Sequence, residues 1–535
     1  MLSTPSAVQI FALCVIAWTA WKVLKRFVVK DPLSAIPGPP SESFWTGNLA
    51  NLFSPIGWDY HDDLARRYGS VSRITGLFKE SVLYVYDTKA LYNIYIKDTD
   101  TFDESDDFIK RNIRIFGMGL ISTTGEQHRK QRKMLNPLQD SLSKQVAGGE
   151  KEINLNAWTT RTALELIGQV GFGYSFDSLE PDAPEHPFTS SLKDLPSAVN
   201  DRMIKLVRTV LFPHVFNLGT PSFQRTVVNL LPWKKLHQIR DMVDVLHHSS
   251  IEIFEATKRS VKEGYRGTDG RIGEGKDIMS VLVKANMSAR EEDRLTDDEL
   301  IAQISVITFA GMDTTSNGIS RVLHLLSEAP EVQERLRGEI MEAYEKWGDH
   351  DPTYDELNAL PFLDAVCKET LRVYPPAPLG LREAKEDGVL QFATPVKTTD
   401  GEFITELFIP KGTNILISMR HCNTNPEIWG PDAAYWKPER WVQPLPETVA
   451  KAKVPGVYAN MMTFIGGHRA CIGFKFSELE MKVVLALLIK SFHIAPTGKK
   501  VVWLWHGVAQ PTTEDAPTDS TGTKQLQLPL LVRRV

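Results

Sequence analysis

The stretch that most constrains this chain is LTDDELIAQISVITFAGMDTTSNGISRVLHLLSEAP, residues 295–330. Thr296 and Glu299 form a capping-box pattern, in which each side chain bonds the other's backbone N–H and so opens a helix. Pro330 closes it, because proline cannot continue an α-helix. Between these marks the apolar positions recur at helical spacing. Roughly thirty residues make a rod of about 45 Å, against a mean helix of ~11–12 residues. A rod of that length crosses a whole domain, and the remainder must be packed around it.

Its centre breaks the rules of a buried helix. Ala310, Gly311, Met312, Asp313, Thr314 and Thr315 follow one another there. Glycine costs about 1 kcal/mol in a helix interior, and Thr hydroxyls compete for the helix's own carbonyls. Two readings follow. Gly311 marks an ordinary helix–helix crossing, or it opens a groove where something large and flat lies against the backbone with Asp313 and Thr314 beside it.

Elsewhere helical spacing covers 58–68, 126–146, 152–170, 234–262 and 330–346. Strand-like runs are fewer: 81–87, 413–419 and 525–532. Residues 511–524, polar and proline-containing, read as a surface loop. The fold class expected is mainly α with small β-sheets. At 535 residues the chain has ample length for a large core.

Met1 to Trp21 carry no charged side chain, and Lys22, Lys25, Arg26 and Lys30 follow. The run just reaches the ~20 apolar residues of a spanning helix, and basic residues on its C-terminal side put the rest in the cytosol. A cleaved signal peptide would carry positive charge before the run and small residues after it. The expected division is a transmembrane anchor over 1–24, a basic and proline-rich linker over 25–40, and one large domain over 41–535. "IPGPP" (Ile36 to Pro40) stiffens that linker. The apolar stretch 209–223 reads as core or as a segment dipping into the membrane surface. Asn286-Met-Ser288 is a glycosylation sequon whose use the cytosolic orientation opposes.

A net charge of −5 gives no reason to expect a nucleic-acid partner. The four cysteines, Cys14, Cys367, Cys422 and Cys471, include no CxxC pair, which argues against a zinc site. They are also too sparse for a disulfide-stapled protein. Cys471 stands in "FIGGHRACIG" (464–473), just ahead of a helix with Leu479, Val483 and Leu487 on one stripe. A helix N-terminus stabilises anions, a thiolate included. Gly466, Gly467 and Gly473 permit close backbone approach or positive φ, and Arg469 offers a fork for a carboxylate. That combination suits haem, with iron on sulfur and propionates on arginine. Glu369 and Arg372 in "ETLR" make a weak helix-surface pair when taken alone. If Arg440 of "KPERW" closes on Glu369, the three form a buried charge network that fixes a loop.

These segments together resemble the cytochrome P450 family, in the style of fungal microsomal members. "FIGGHRACIG" matches the haem-binding pattern F-x-x-G-x-R-x-C-x-G through Phe464, Gly467, Arg469, Cys471 and Gly473. "AGMDTT" resembles the oxygen-activating helix motif, "ETLR" the E-x-x-R and "PERW" the P-E-R-F/W, all in the family's order. The resemblance implies a P450 fold holding heme b (iron protoporphyrin IX), with Cys471 as axial thiolate. It implies that Thr314 holds dioxygen and a water, that Asp313 helps deliver protons, and that Glu369, Arg372 and Arg440 form a network beneath the haem. Arg469 and Arg382 of "GLREA" are then propionate contacts. In "GEQHRKQRKML", His128 and Arg132 fit a W-x-x-x-R clamp in which His128 replaces tryptophan, so His128 is either a propionate contact or a solvated helix face.

The implied activity is a monooxygenase inserting one oxygen atom of O2 into a lipophilic small molecule, a terpenoid or other secondary metabolite by family habit. Phe309, Ala310 and Ala377 to Leu379 are expected to line the substrate cavity, with 103–120 and 505–512 as lids. Electrons come from NADPH through a membrane-bound NADPH–cytochrome P450 reductase. Arg129, Lys130, Lys133 and Lys475 either meet its acidic surface or are plain solvated charge. The implied location is the endoplasmic reticulum membrane, single-pass, in contact with lipid. A reductase-independent haem-thiolate isomerase and a non-catalytic haem-binding protein are the alternatives, and the intact Asp313–Thr314 pair weighs against both.

Overall fold

A computed structural model describes residues 31–105, 108–110, 112, 151–177, 179, 186–199, 203–204, 207, 215, 218–262, 277–348, 354–518 and 524–535. The expected anchor, the helix over 126–146, His128, Arg132, Arg129, Lys130 and Lys133 lie outside the described residues, as does most of 103–120 and of 209–223.

The chain opens with helix α1 (Trp58–Tyr68) and strands β1 (Val71–Thr75), β2 (Ser81–Val85) and β3 (Phe102–Asp103). Next come β4 (Lys151–Asn154), α2 (Leu155–Phe172), α3 (Pro187–Val199), α4 (Pro221–Leu230), α5 (Lys234–Lys262) and α6 (Ile278–Ser288). The long helix is α7 (Asp297–Glu328), followed by α8 (Pro330–Trp347) and α9 (Pro361–Val373). Strands β5 (Leu379–Ala384), β6 (Gly388–Lys397), β7 (Phe403–Ile409) and β8 (Asn414–Ser418) precede α10 (Phe474–Ser491). Strands β9 (Phe492–Pro496), β10 (Val501–Trp505), β11 (Ala509–Thr513) and β12 (Pro529–Arg534) end the chain. Helices dominate and the sheets are small, as the periodicity predicts. The main sheet runs β1-β2-β8-β5-β3, with β2 and β8 parallel. A second sheet runs β4-β12-β9, and β6-β7 and β10-β11 form separate hairpins.

Three expectations need correction. Residues 152–154 are not helical: β4 pairs there with β12, and Asn154 then caps α2. Only the end of 525–532 is a strand, since β12 starts at Pro529. Residues 511–513 are not surface loop: Thr512 and Thr513 are fully buried in β11. Their polarity is satisfied internally, by Thr512 Oγ1 on the Gln525 carbonyl at 2.7 Å and Gln527 Nε2 on Thr513 Oγ1 at 2.7 Å. A polar stretch can therefore be core when its partners come from the same turn of chain.

The capping box of α7 forms as its sequence predicts, with Thr296 and Glu299 bonding each other's backbone. The two ends of α7 serve different cores. Leu300, Ile301 and Ile304 pack with α2, α3, α5 and α6, whereas Ile319, Val322, Leu323 and Leu326 pack with α8, α9 and α10. The helix hands over from one core to the other in the middle, where the sequence is irregular.

Glu369 on α9 anchors the loop that leads toward α10. Arg372 donates to both of its carboxylate oxygens at 2.8 Å. Arg440 Nε (3.3 Å), Trp441 Nε1 (2.9 Å) and the Lys437 backbone N–H (3.1 Å) complete the set. Arg372 also donates to the carbonyls of Asn423 (2.9 Å) and Ala433 (2.6 Å). Glu369 and Arg372 are both 0 % exposed, so this is a buried network and not a surface pair. Its value lies in geometry, because removing one partner strands the other charge at a cost of about 3–5 kcal/mol. Arg372→Ala is therefore expected to abolish most folded, soluble protein or to lower Tm sharply. A thermal transition equal to the parent's would contradict this reading.

Candidate haem-thiolate site

The segment 464–473 is a tight loop held by its own backbone. The Cys471 N–H donates to the Phe464 carbonyl at 2.8 Å, which closes the loop ahead of α10. The Phe464 ring packs edge-on against Tyr458 at 5.4 Å. Gly467 has φ +63°, and a Cβ there would stand 1.7 Å from the Tyr95 carbonyl oxygen. At Gly466 a Cβ would stand 1.6 Å from the Pro455 carbonyl oxygen. Both glycines are thus required by backbone pressed on backbone. Gly473 differs: nothing lies within 4 Å of its would-be Cβ, so it leaves open space close to Cys471.

The described cysteines are chemically unequal, and none is in a disulfide. Cys367 and Cys422 are fully buried, and burial pushes both thiols up to about 12. Neither can serve as a thiolate. Cys471 is half-buried, just before the N-terminus of α10.

Helix α7 is open at its middle. Ala310 is exposed and Thr314 half-buried, between turns that are buried on both sides. Gly311 does not form a groove. A Cβ there would touch Ile167 of α2 at 3.5 Å, so Gly311 marks a helix crossing and the open face belongs to Ala310 and Thr314. Thr314 Oγ1 donates back to the Ala310 carbonyl at 2.8 Å, as hydroxyls in helices do. Thr315 Oγ1 meets Ser477 Oγ of α10 at 3.0 Å, which ties the centre of α7 to the first turn after the cysteine loop. Phe309 and Ile472 pack on the same apolar core. Ala377 and Leu379 are both half-buried just before and at the start of β5.

Asp313 is held by amides. Asn317 Nδ2 donates to Oδ1 at 3.2 Å, and Gln510 Nε2 lies 3.2 Å from both carboxylate oxygens. Burial pushes this carboxyl above the usual range, and the two donors pull it partly back. Arg382 and Arg469 converge on adjacent carboxylates at the end of β3. Arg382 Nη1 meets Glu104 Oε1 at 2.7 Å, and Arg469 Nη2 meets Asp103 Oδ1 at 2.8 Å. Arg382 also lies over the Tyr95 ring, 4.8 Å from its centroid. Sequence reasoning named the arginines but missed Asp103, Glu104, Asn317 and Gln510. The two acids stand at the first lid's edge and Gln510 within the second, so position alone offered a signal.

These residues fit haem. A half-buried thiol on a rigid loop, space beside it, two neighbouring arginines able to face paired carboxylates, and an open helix face form one donor set. Gly467→Ala tests the loop. Overpacking costs on the order of 1–3 kcal/mol even where neighbours can yield, and a carbonyl oxygen cannot turn away. Haem content of the purified protein is expected to fall roughly tenfold, a change worth about 1.4 kcal/mol. Parent-like content would contradict the packing argument.

Comparison with known proteins bears on the same residues. The sequence pattern of the family described as cytochrome P450 matches residues 137–513. Cytochrome P450 monooxygenase 91 of Postia placenta is 43% identical over 94% of this chain and 95% of its own. Cytochrome P450 monooxygenase 212 of the same fungus is 41% identical over 96% of each. A ganoderic acid synthetase of Ganoderma lucidum is 39% identical over 97% of this chain and 98% of its own. With the cysteine loop, the open helix centre and the Glu369 network where that family has its motifs, the chain belongs to the cytochrome P450 family and is a monooxygenase of it.

Proposed function

We propose that this enzyme inserts one oxygen atom of O2 into a lipophilic small molecule, using electrons that an NADPH-dependent reductase supplies. The single observation that carries the reading is the open face of α7, with Thr314 on it and Asp313 alongside, on a turn that Thr315 ties to Ser477 of α10 just after the loop of Cys471. Bound on Cys471, haem supplies the redox centre at which dioxygen is activated. Cys471 would hold it, and Arg382 and Arg469 would meet its carboxylates. Arg132 and His128 are assigned there too, on the family pattern alone. Asp103 and Glu104, which pair with those arginines, would share them with the propionates.

The rest of the work is positioning and proton handling. Thr314 has its hydroxyl hydrogen committed to the Ala310 carbonyl at 2.8 Å, so its oxygen lone pairs face the open side as acceptors. A water or oxygen species seated there is held by Thr314. Asp313 is one residue away, and burial raises its proton affinity above that of an ordinary carboxylate, which suits it to a part in proton transfer. An isomerase or a haem carrier needs neither.

Substrate is assigned to the space lined by Phe309, Ala310, Ala377 and Leu379, whose apolar side chains favour a lipophilic molecule. A terpenoid or related secondary metabolite agrees with the relative named for ganoderic acid synthesis. Membrane contact has independent support. On and beside α4, Leu218 (63 % exposed), Phe223 (53 %) and Leu230 (78 %) present apolar side chains to solvent, as a lipid-facing segment does. No described helix is long and apolar enough to cross a membrane, and the assigned anchor over 1–24 precedes them. The Asn286 side chain is engaged in both directions with Leu295, at 2.7 and 3.0 Å, which supports a structural use of that sequon and agrees with a cytosolic domain.

Thr314→Ala tests the proposal. With reductase and NADPH, the variant is expected to keep its haem and its rate of NADPH consumption to within a few-fold. The share of electrons appearing as hydrogen peroxide should rise by roughly an order of magnitude, since one positioned proton-handling group is worth ~10²–10⁴ in rate. A variant that partitions electrons as the parent does would overturn the oxygen-activating role.

A further inference from the structure

We propose that Gln510 is the positioning residue of the Asp313 carboxyl, which makes the β10–β11 hairpin part of the proton-delivery apparatus. Gln510 Nε2 lies 3.2 Å from Oδ1 and 3.2 Å from Oδ2 of Asp313. The second arm of the clamp is Asn317, one helical turn on, whose Nδ2 donates to Oδ1 at 3.2 Å and to the Asp313 carbonyl at 2.6 Å. Asn317 is oriented in turn by Asn156 of α2, whose Nδ2 donates to Asn317 Oδ1 at 3.2 Å. An ionised carboxylate only accepts, so both amides present nitrogen to it. The Asn156–Asn317 arm is rigid, being built on two packed helices. Gln510 is the arm that belongs to a different element.

That element is seated beside the expected substrate space. In the hairpin Gln510 lies opposite Leu504. Its neighbour Ala509 donates its N–H to the Pro376 carbonyl at 2.8 Å, directly before Ala377. The other strand is tied to the N-terminal region, through Trp505 N–H on Pro55 at 2.8 Å and Trp58 Nε1 on the Trp503 carbonyl at 2.7 Å. A molecule pressed against Ala377 therefore bears on the strand that carries Gln510, and through it on the acid.

Among the described residues no cation shares the task. Burial, Gln510 and Asn317 account for the proton affinity of Asp313, with no charged group among the causes. Arg321, about two turns along α7, is turned onto the rings of Trp503 (3.5 Å) and Tyr374 (4.3 Å). Amide donors favour the ionised form of a carboxyl, so losing one raises its pKa and frees its rotamer.

The test uses the full-length, haem-loaded protein and rests on the monooxygenase reading only for its turnover arm. Infrared difference spectra taken against pH follow the carboxylic-acid stretch, and the Asp313 band is assigned by its loss in Asp313→Asn. In Gln510→Leu and Gln510→Met that band is expected to persist to a midpoint about one pH unit higher than in the parent, a tenfold change in proton affinity. In Gln510→Glu two carboxyls share one proton and the shift is larger. A parent-like midpoint in either Leu or Met variant overturns the proposal. In turnover the same variants are expected to divert electrons to peroxide while keeping their haem. Shifted midpoints with no oxygenated product even from the parent would sink the monooxygenase reading and leave the clamp standing.

Discussion

A helix of 32 residues, buried at both ends and open at its middle, sets the geometry on which the site depends. Each end of α7 is locked into a separate apolar core, so its centre can carry residues that no ordinary buried helix tolerates. Gly311 spends its missing side chain on the crossing with α2. Thr315 ties the same turn to α10, and α10 follows directly on the cysteine loop. The distance between Cys471 and the open face is thereby governed by helix packing, which resists deformation far better than loops do.

Three ways of handling buried charge surround that space, and they serve different ends. Glu369 is saturated by donors and gives rigidity without reactivity. Arg382 and Arg469 pair with the neighbouring carboxylates of Glu104 and Asp103. Among the described residues Asp313 is held by neutral amides, and burial raises its proton affinity.

Much of this was legible in the sequence for a stated reason. Helices α5 and α7 occupy the residues expected of them because apolar periodicity, and for α7 caps and a proline, agree along their whole length. The contact of Arg440 with Glu369 followed from motif order. The β6–β7 hairpin was missed because an irregularity between Gln391 and Val396, around Pro395, breaks the alternation that marks a strand. Asp103, Glu104 and Gln510 were missed for a deeper reason. Each meets a partner far away in the chain, and no local pattern says which distant side chain a polar residue will face. At Gly311 the sequence left a helix crossing and a groove both open, and the contact with Ile167 favours the crossing, with the open face at Ala310 and Thr314.

The central claim is that Cys471 binds haem iron as a thiolate. The most direct measurement is the carbon monoxide difference spectrum of the reduced, haem-loaded protein, taken beside Cys471→Ala. The account predicts the long-wavelength Soret band of a thiolate–iron–carbonyl in the parent and its absence in the variant. A folded, haem-loaded parent lacking that band would mean another axial ligand, and the roles assigned around α7 would fall with it.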